Sequence, residues 1–377
     1  MTHPIEIDGS FGEGGGQILR TALALSMATG RAFRLSSIRA GRSKPGLANQ
    51  HLTCIRAAMQ ISSATVSGAT LGSQTLEFGP GPVRPGDYSF DVTTAGSVAL
   101  VLHTLFLPLS FPGRSGALGA EACTVHRPDA HACARTRAGA GGASHITLRG
   151  GTHVRWSPTY EYLEYQWLFY LRRIGFSIRL RLEKAGYYPK GGGVLIADIE
   201  PVERVHPLRL SDRGAFRGVT GRVFFSNLDE RVARRQVEKA ESLLRARGME
   251  GEIEVREYPS PGAGTGTHLR AEFENGSGSC TSLGERGLPA ERVAAIAVQE
   301  LLAYLDSGAA VDRFLADQLL LPLSLASGES TFTCEEVTQH LLTNAHVVQQ
   351  FVPVRTEVAG EPGHVGTVRI VPSEDVG

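Results

Sequence analysis

Residues 8–17 read Asp-Gly-Ser-Phe-Gly-Glu-Gly-Gly-Gly-Gln and run straight into Ile-Leu-Arg-Thr-Ala-Leu-Ala-Leu-Ser-Met-Ala-Thr-Gly30. A short strand (Ile5–Asp8) is expected before the glycines. A helix follows them, with Ile18, Leu19, Leu23 and Met27 at helical spacing and Gly30 where a left-handed residue would end it. A strand, a glycine loop and a helix start point bare N–H groups and the positive end of a helix at one spot, which suits Gly14, Gly15, Gly16 and Gln17 to phosphate. No Gly-Lys-Ser/Thr follows, so this is not a Walker A loop, and Gln17 stands where a dinucleotide fingerprint needs its third glycine. A lone carboxylate, Glu13, sits among the glycines. It would repel a phosphate unless a divalent cation lay between them, which points past a plain tight turn to a metal–nucleotide site.

The 377 residues fit two or three domains, at roughly 150 residues each. Lys+Arg and Asp+Glu are both 38, so no overall field draws nucleic acid in, and such a partner must be held by a local patch. The 5 cysteines are scattered, with no secretory leader before them, which reads as a reduced, cytoplasmic protein. The longest apolar stretch, Val98–Phe111, contains His103 and Pro108 and falls short of the ~20 residues of a membrane span. No membrane partner is expected.

Further along, a strand (Phe33–Ile38) precedes Arg39-Ala-Gly-Arg42-Ser-Lys44-Pro-Gly46. That loop is either a phosphate clamp built on guanidinium forks or a solvated basic turn. A helix over Leu47–Ile61 carries Gln50 and His51 in its first turn, near whatever the basic loop holds. Thr93–Ser97 leads into an apolar helix (Val98–Leu107) bearing His103, a second loop-to-helix junction suited to an anion. From Arg114 to Ser144 alanine, glycine, arginine and histidine dominate, and this stretch reads as an inserted mobile loop. Its Cys123, His126, His131 and Cys133 match no common zinc spacing. A helix is expected over Thr159–Ile174, then Gly186-Tyr-Tyr-Pro-Lys-Gly-Gly-Gly193 before a strand (Val194–Ile199). A glycine turn with α/β segments thus recurs, which suggests repeated units.

Pro201–Pro207 reads as a linker. Beyond it come a strand (Gly218–Ser226), an amphipathic helix (Arg231–Arg247), strands at Glu252–Tyr258 and His268–Glu274, and a helix with Pro289 at its first position. The chain then returns to Phe314-Leu-Ala-Asp317-Gln318, an apolar run (Leu319–Leu325), a strand (Thr331–Cys334), Gln339-His340-Leu-Leu-Thr-Asn344, and a closing strand (Thr367–Val371).

At Gly12-Glu-Gly-Gly-Gly-Gln17, Arg39–Gly46, Gly186–Gly193, Leu315-Ala-Asp-Gln318 and His340-Leu-Leu-Thr-Asn344 the sequence resembles the RNA 3′-terminal phosphate cyclases, over nearly its whole length apart from residues 114–144. The resemblance implies an α/β (α+β) fold. A large domain of three repeated βαβαββ units (1–205 and 307–377) would be interrupted by a smaller domain (206–306) similar to the C-terminal domain of translation initiation factor three. It implies ATP as co-substrate, Mg²⁺ or Mn²⁺, RNA 3′-phosphate ends as partner, and room for a homodimer. His340 would be the nucleophile that takes AMP from ATP. Glu13 and Asp317 would hold the metal, and Arg20, Arg39 and Arg42 would clamp phosphates. Gln50, His51 and Gln318 would line the same pocket, with Phe314 stacking on adenine and Pro158 on its other face. His103 stands where the family is expected to carry glutamine. A sister branch of the family acts in ribosome biogenesis without catalysis, and His340 argues against it. Enolpyruvyl transferases share related repeated units, but none of their motifs is present.

Overall fold

The computed structural model describes residues 3–93, 95–112 and 142–373. The first unit runs β1 (Ile5–Asp8), α1 (Gly16–Thr29), β2 (Phe33–Ser36), α2 (Asn49–Ser62), β3 (Thr65–Ser67) and β4 (Leu76–Gly79). β1 and β2 are parallel across the α1 crossover, β4 runs antiparallel to both β2 and β3, and the sheet order is β1-β2-β4-β3. The second unit repeats this. β5 (Asp87–Asp91) and α3 (Val98–Ser110) lead to β6 (Ser144–Gly150). A π-helical segment (Tyr162–Trp167) then continues as α4 (Leu168–Arg173) into β7 (Ile178–Lys184) and β8 (Gly193–Ile199). Its sheet order is β5-β6-β8-β7, with the same parallel first pair.

β9 (Arg209–Leu210) opens a third unit, but another sheet intervenes. β10 (Phe216–Ser226), α5 (Glu230–Arg245), β11 (Gly251–Glu257), β12 (Gly264–Phe273), β13 (Ser277–Leu283) and α6 (Ala290–Ser307) come first. The chain then resumes with α7 (Leu315–Leu323), β14 (Ser330–Cys334), α8 (Gln339–Phe351), β15 (Val354–Ala359) and β16 (Gly366–Pro372). β9 pairs in parallel with β14, Arg209 opposite Thr331, and the third sheet reads β15-β16-β14-β9. Three sheets therefore share one βαβαββ plan, and the fourth, β11-β10-β12-β13, has its own.

Burial explains the helix patterns. α1 is buried on nearly every side, which its all-round apolar sequence permits. It packs against α2, α3 and α8. Gly30 closes it at φ 73, its N–H donating to the Ser26 carbonyl, the left-handed cap the sequence predicts. α5 instead buries one stripe, Ala233, Gln236, Ala240 and Leu244, under a second core with Leu269, Phe273, Leu301 and Tyr304.

Several boundaries differ from the sequence reading. Pro289 is the N-cap rather than the first helical residue, with extended ψ 145. The helix expected over Thr159–Ile174 is π-wound in its first half. α2 starts at Asn49, since Gly46 has φ +81 and its N–H is taken by the Ile38 carbonyl. Ser144 belongs to β6, paired with Ile199, rather than to the inserted stretch. The rest of that stretch, including Cys123, His126, His131 and Cys133, lies outside the described residues apart from its last residues, 142–144. Pro201–Pro207 is packed down, with Val202 and Val205 buried and Val205 bridging Ala326.

One buried carboxylate ties three of these elements together. Asp312 Oδ1 accepts from Tyr162 Oη at 2.7 Å and from the Phe314 and Leu315 N–H groups at 3.0 Å. Oδ2 accepts from Gln166 Nε2 at 2.8 Å and from the Ser279 N–H at 3.2 Å. Asp312 thereby serves the start of α7 while joining it to the π segment and β13, although burial pushes its carboxyl up to about 6.

Candidate active site

The glycine loop supplies the first wall of the site. Gly12 and Gly14 have φ +60 and +55, conformations that side chains rarely adopt, and so they turn the chain out of β1. α1 begins after Gly15 with no side-chain cap, leaving its first backbone N–H groups available to an anion. At the other junction, Ser97 Oγ accepts from the Leu100 N–H at 3.3 Å, so that helix start already has a cap from its own chain.

His340 sits in the first turn of α8, whose Thr338 cap accepts from the Leu341 N–H. Its Nδ1 is hydrogen-bonded to Gln17 Oε1, and its Nε2 lies 3.2 Å from Glu13 Oε2. A glutamine oxygen only accepts, so the imidazole proton is on Nδ1 and the Nε2 lone pair faces outward when the ring is neutral. Burial lowers the His340 pKa, Glu13 opposes that, and Arg20 and Arg42 add to it. On balance the ring is held below the ordinary histidine pKa.

Gln17 has a second partner. Its Nε2 donates to Asp317 Oδ2 at 2.7 Å. Asp317 is buried, and that pushes its carboxyl up to about 7 against the opposing pull of Gln17 and Arg20. The Asp317 carbonyl accepts from Asn344 Nδ2 at 3.1 Å, and Asn344 Oδ1 accepts from Thr21 Oγ1 at 2.7 Å. The polar chain Thr21–Asn344–Asp317–Gln17–His340 therefore pins α7 and α8 to α1. Thr21 belongs to none of the motifs read in the sequence, whereas Asn344 closes the His340-Leu-Leu-Thr-Asn344 motif.

These groups open onto one cleft of about 1010 Å³. Glu13, Gln17, Arg20, His103, Pro158, Phe314, Asp317, Gln318 and His340 all line it. Phe314 is half exposed and meets Tyr162 edge-on at 6.4 Å. Gln318 Nε2 donates to the Phe314 carbonyl at 2.6 Å while its buried Oε1 has no partner. Trp156, almost fully exposed at φ +64, and Arg155, paired with Glu285 at 2.6 Å, form part of the rim. His103 lies on the floor at 4.9 Å from the Trp167 ring, its Nε2 buried without a partner. Burial pulls its pKa to about 3, with Arg20 adding to the shift, so His103 is neutral across the physiological range.

Arg39, Arg42, Gln50 and His51 are not among the residues that line that cleft. Arg42 Nη2 is 3.6 Å from Glu13 Oε2. Arg39 donates from Nη1 to the Gly46 carbonyl at 2.9 Å, and its φ of +54 shapes the loop. His51 Nδ1 accepts from the Ala48 N–H at 3.0 Å, which leaves the proton on Nε2, the atom against Gly16. Burial, with Arg20 and Arg39 close by, pulls His51 to about 3. Gln50 Nε2 is buried without a partner. The Arg42 and Arg20 guanidinium groups and His51 Nε2 thus collect around Gly15 and Gly16, the chemistry of an anion site. Among the described residues no group of His, Cys, Asp and Glu is arranged to hold a metal by itself.

A family model described as RNA 3′-terminal phosphate cyclase matches residues 11–358. The chain belongs to that family. Among curated relatives, proteins named RNA 3′-terminal phosphate cyclase from Ralstonia nicotianae and Methylococcus capsulatus are 44% and 42% identical, covering 95% and 97% of this chain and 94% and 96% of theirs. One from Methanopyrus kandleri is 38% identical over 98% of this chain and 99% of its own. The family match begins at Phe11, inside the glycine loop, and passes through α8, so it spans both walls of the cleft.

Proposed function

We propose that this chain converts an RNA 3′-terminal phosphate to a 2′,3′-cyclic phosphate at the expense of ATP. The observation that carries the reading is His340, an imidazole with Nδ1 held by Gln17 and Nε2 turned to Glu13 at the mouth of a cleft of nucleotide size. Its Nε2 lone pair attacks the α-phosphorus of ATP, the bond to pyrophosphate breaks, and a histidyl-adenylate remains. An oxygen of the RNA 3′-phosphate then attacks that phosphorus, freeing the imidazole and forming an RNA–adenylate anhydride. The vicinal 2′-OH, losing its proton, attacks the 3′-phosphorus and expels AMP. Because that closure is intramolecular, orientation supplies most of what it needs.

The other residues take their roles by position. Gly14, Gly15, Gly16, Arg20, Arg39, Arg42, Gln50 and His51 serve the phosphates. Pro158 and Phe314 flank the base, with Gln318 and His103 beside them. Glu13 is about one-third exposed and faces the nucleophile, which fits a hard cation that takes most of its oxygens from a triphosphate. With Asp317 behind it, Glu13 would hold Mg²⁺ or Mn²⁺, and such an ion would neutralise charge at the reacting phosphorus.

We also keep the division into a large domain (1–205 with 307–377) and an inserted one (206–306); the β9–β14 pairing favours a first crossing just after Leu210. The likeness of the insert to the C-terminal domain of initiation factor three, and a cytoplasmic location, belong to the same reading. Among the described residues no helix is long and apolar enough to cross a membrane. Balanced charge argues for recognition of the RNA end rather than its body, and hence for a shallow dependence of binding on salt.

The test is incubation with ATP labelled at the α-phosphate and Mg²⁺ or Mn²⁺, followed by denaturing electrophoresis. An acid-labile label, absent in His340→Ala and chased as AMP by 3′-phosphorylated RNA, is expected. A 3′-phosphorylated DNA end should accept AMP without cyclising, because it lacks the 2′-OH. Failure of freshly purified wild type to label, with bound adenylate excluded by mass, would sink the proposal in favour of the non-catalytic branch.

A further inference from the structure

The glycine loop and α8 meet one residue at a time. Phe11 stacks on His346, ring centroids 4.0 Å apart and planes within 18° of parallel. Gly12 comes so close to Thr343 that a Cβ there would collide with Thr343 Oγ1. Glu13 Oε2 lies 3.2 Å from His340 Nε2. Consecutive loop residues thus lie against residues 346, 343 and 340, which descend one stripe of the helix at three-residue intervals. Gln350, a turn beyond His346, donates its side-chain amide to His346 Nε2 at 2.7 Å and so fixes that ring.

We infer that Phe11 and His346 are positioning residues that set the Glu13 carboxylate against His340. This rests on the reading of His340 as the adenylylated nucleophile. Apart from Arg42 Nη2, 3.6 Å from Glu13 Oε2, and the Gly9 N–H bonded to the Ser36 carbonyl at its entry, the loop has few other means of choosing one conformation. Glycines at 12, 14, 15 and 16 permit many backbone paths, and its internal bonds are local, Phe11 N–H to the Asp8 carbonyl and Gly14 N–H to the Phe11 carbonyl. Phe11 is 41% exposed, so the position does not simply fill the core. The side chain immediately before the close approach at Gly12 instead grips the helix. Phe11 and His346 are not among the cleft-lining residues, so the clamp acts through Glu13, two residues on from Phe11. Displacing a reacting group by as little as about 1 Å can cost on the order of a hundredfold in rate, so a modest clamp has leverage.

The experiment uses the full chain and single-turnover self-labelling across ATP concentrations for wild type, Phe11→Ala, Phe11→Leu, Phe11→Tyr, His346→Ala and the double alanine variant. Phe11→Ala should lower the maximal labelling rate roughly three- to tenfold, the scale of a lost aromatic pair, with half-saturating ATP unchanged. Phe11→Tyr should restore the rate. The double variant should be no slower than the worse single one, because both singles break the same contact. If Phe11→Ala does not fold, Phe11→Leu decides, since it keeps apolar bulk and loses the stack. Wild-type labelling by Phe11→Leu, or losses that multiply in the double variant, would overturn the clamp. A second readout needs no ATP. In ¹⁵N-histidine-labelled protein the His340 ring signals should move on Phe11→Leu, and unmoved signals would overturn the clamp even if the wild type never labels. An unlabelled wild type whose His340 signals do move would overturn the function and leave the clamp standing.

Discussion

Gln17→Leu is the substitution that most directly tests the geometry of the site. Leucine has similar volume and keeps the side chain buried, but removes both of its hydrogen bonds. The Oε1 contact holds the proton on His340 Nδ1, and the Nε2 contact, at 2.7 Å, is the side-chain donor to the Asp317 carboxyl. Without the first, the imidazole is free to carry its proton on Nε2, the atom that must attack phosphorus. A hydrogen bond to a group that becomes charged in the reaction is worth roughly 1.5–3 kcal/mol, so the self-labelling rate should fall roughly 10- to 100-fold. Loss of the second leaves a buried carboxyl short of a donor, and the folded state should lose on the order of 1–3 kcal/mol. Single-turnover labelling measures the first effect and urea unfolding the second. Gln17→Glu should keep more of the rate than Gln17→Leu, because it retains an acceptor for Nδ1–H. A Gln17→Leu protein that labels within threefold of wild type would refute the role of Gln17 in holding the ring.

His103→Gln should flatten the acid side of the stability profile. The His103 pKa is about 3 in the fold against an ordinary 6.5, so the native state resists its protonation and stability falls as pH drops from 6.5 toward 3. At pH 5 the penalty for that residue is about 2 kcal/mol relative to pH 8. Urea midpoints at the two pH values should therefore differ less in the variant, and an equal difference would mean that His103 is not the group responsible. Asp312→Ala removes the acceptor shared by Tyr162, Gln166, Ser279, Phe314 and Leu315. It should cost about 3–5 kcal/mol, the scale of a broken buried polar network, read as a fall in melting temperature. A loss of under about 1 kcal/mol would show that water replaces the carboxylate.

Much of the first unit was legible because local chemistry determines it. Gly12, Gly14 and Gly30 occupy positive φ, and the apolar spacing from Ile18 to Met27 is the core face of α1. The alternation Ile178-Arg-Leu-Arg-Leu182, which the sequence reading passed over, is β7. Other strands give little local signal. β3 has 3 residues and β9 has 2, and both exist because of their partners. β13, Ser-Gly-Ser-Cys-Thr-Ser-Leu, has almost none of the branched or aromatic residues that mark a strand, and its pairing with β12 overrides that. In the site, the charged and motif-bearing residues stand out in the sequence, whereas which of them line the cleft does not. Nor does the bridging role of Gln17, whose partners lie 300 and 323 residues away. The Asp312 hub was equally hidden, since its donors come from three separate stretches of chain.

The separation of 323 residues between Gln17 and His340 also has a meaning in time. At synthesis rates of roughly 5–20 residues per second, the glycine loop emerges about 16–65 seconds before the histidine it serves. Through that interval the first unit can form its own sheet and present an anion-binding loop. It has no nucleophile, and its glutamine and carboxylate have nothing to act on. Closing so long a loop adds little to the equilibrium cost of folding, because that cost grows only with the logarithm of its length. Chemical competence therefore arrives late and all at once, when the last unit docks against the first.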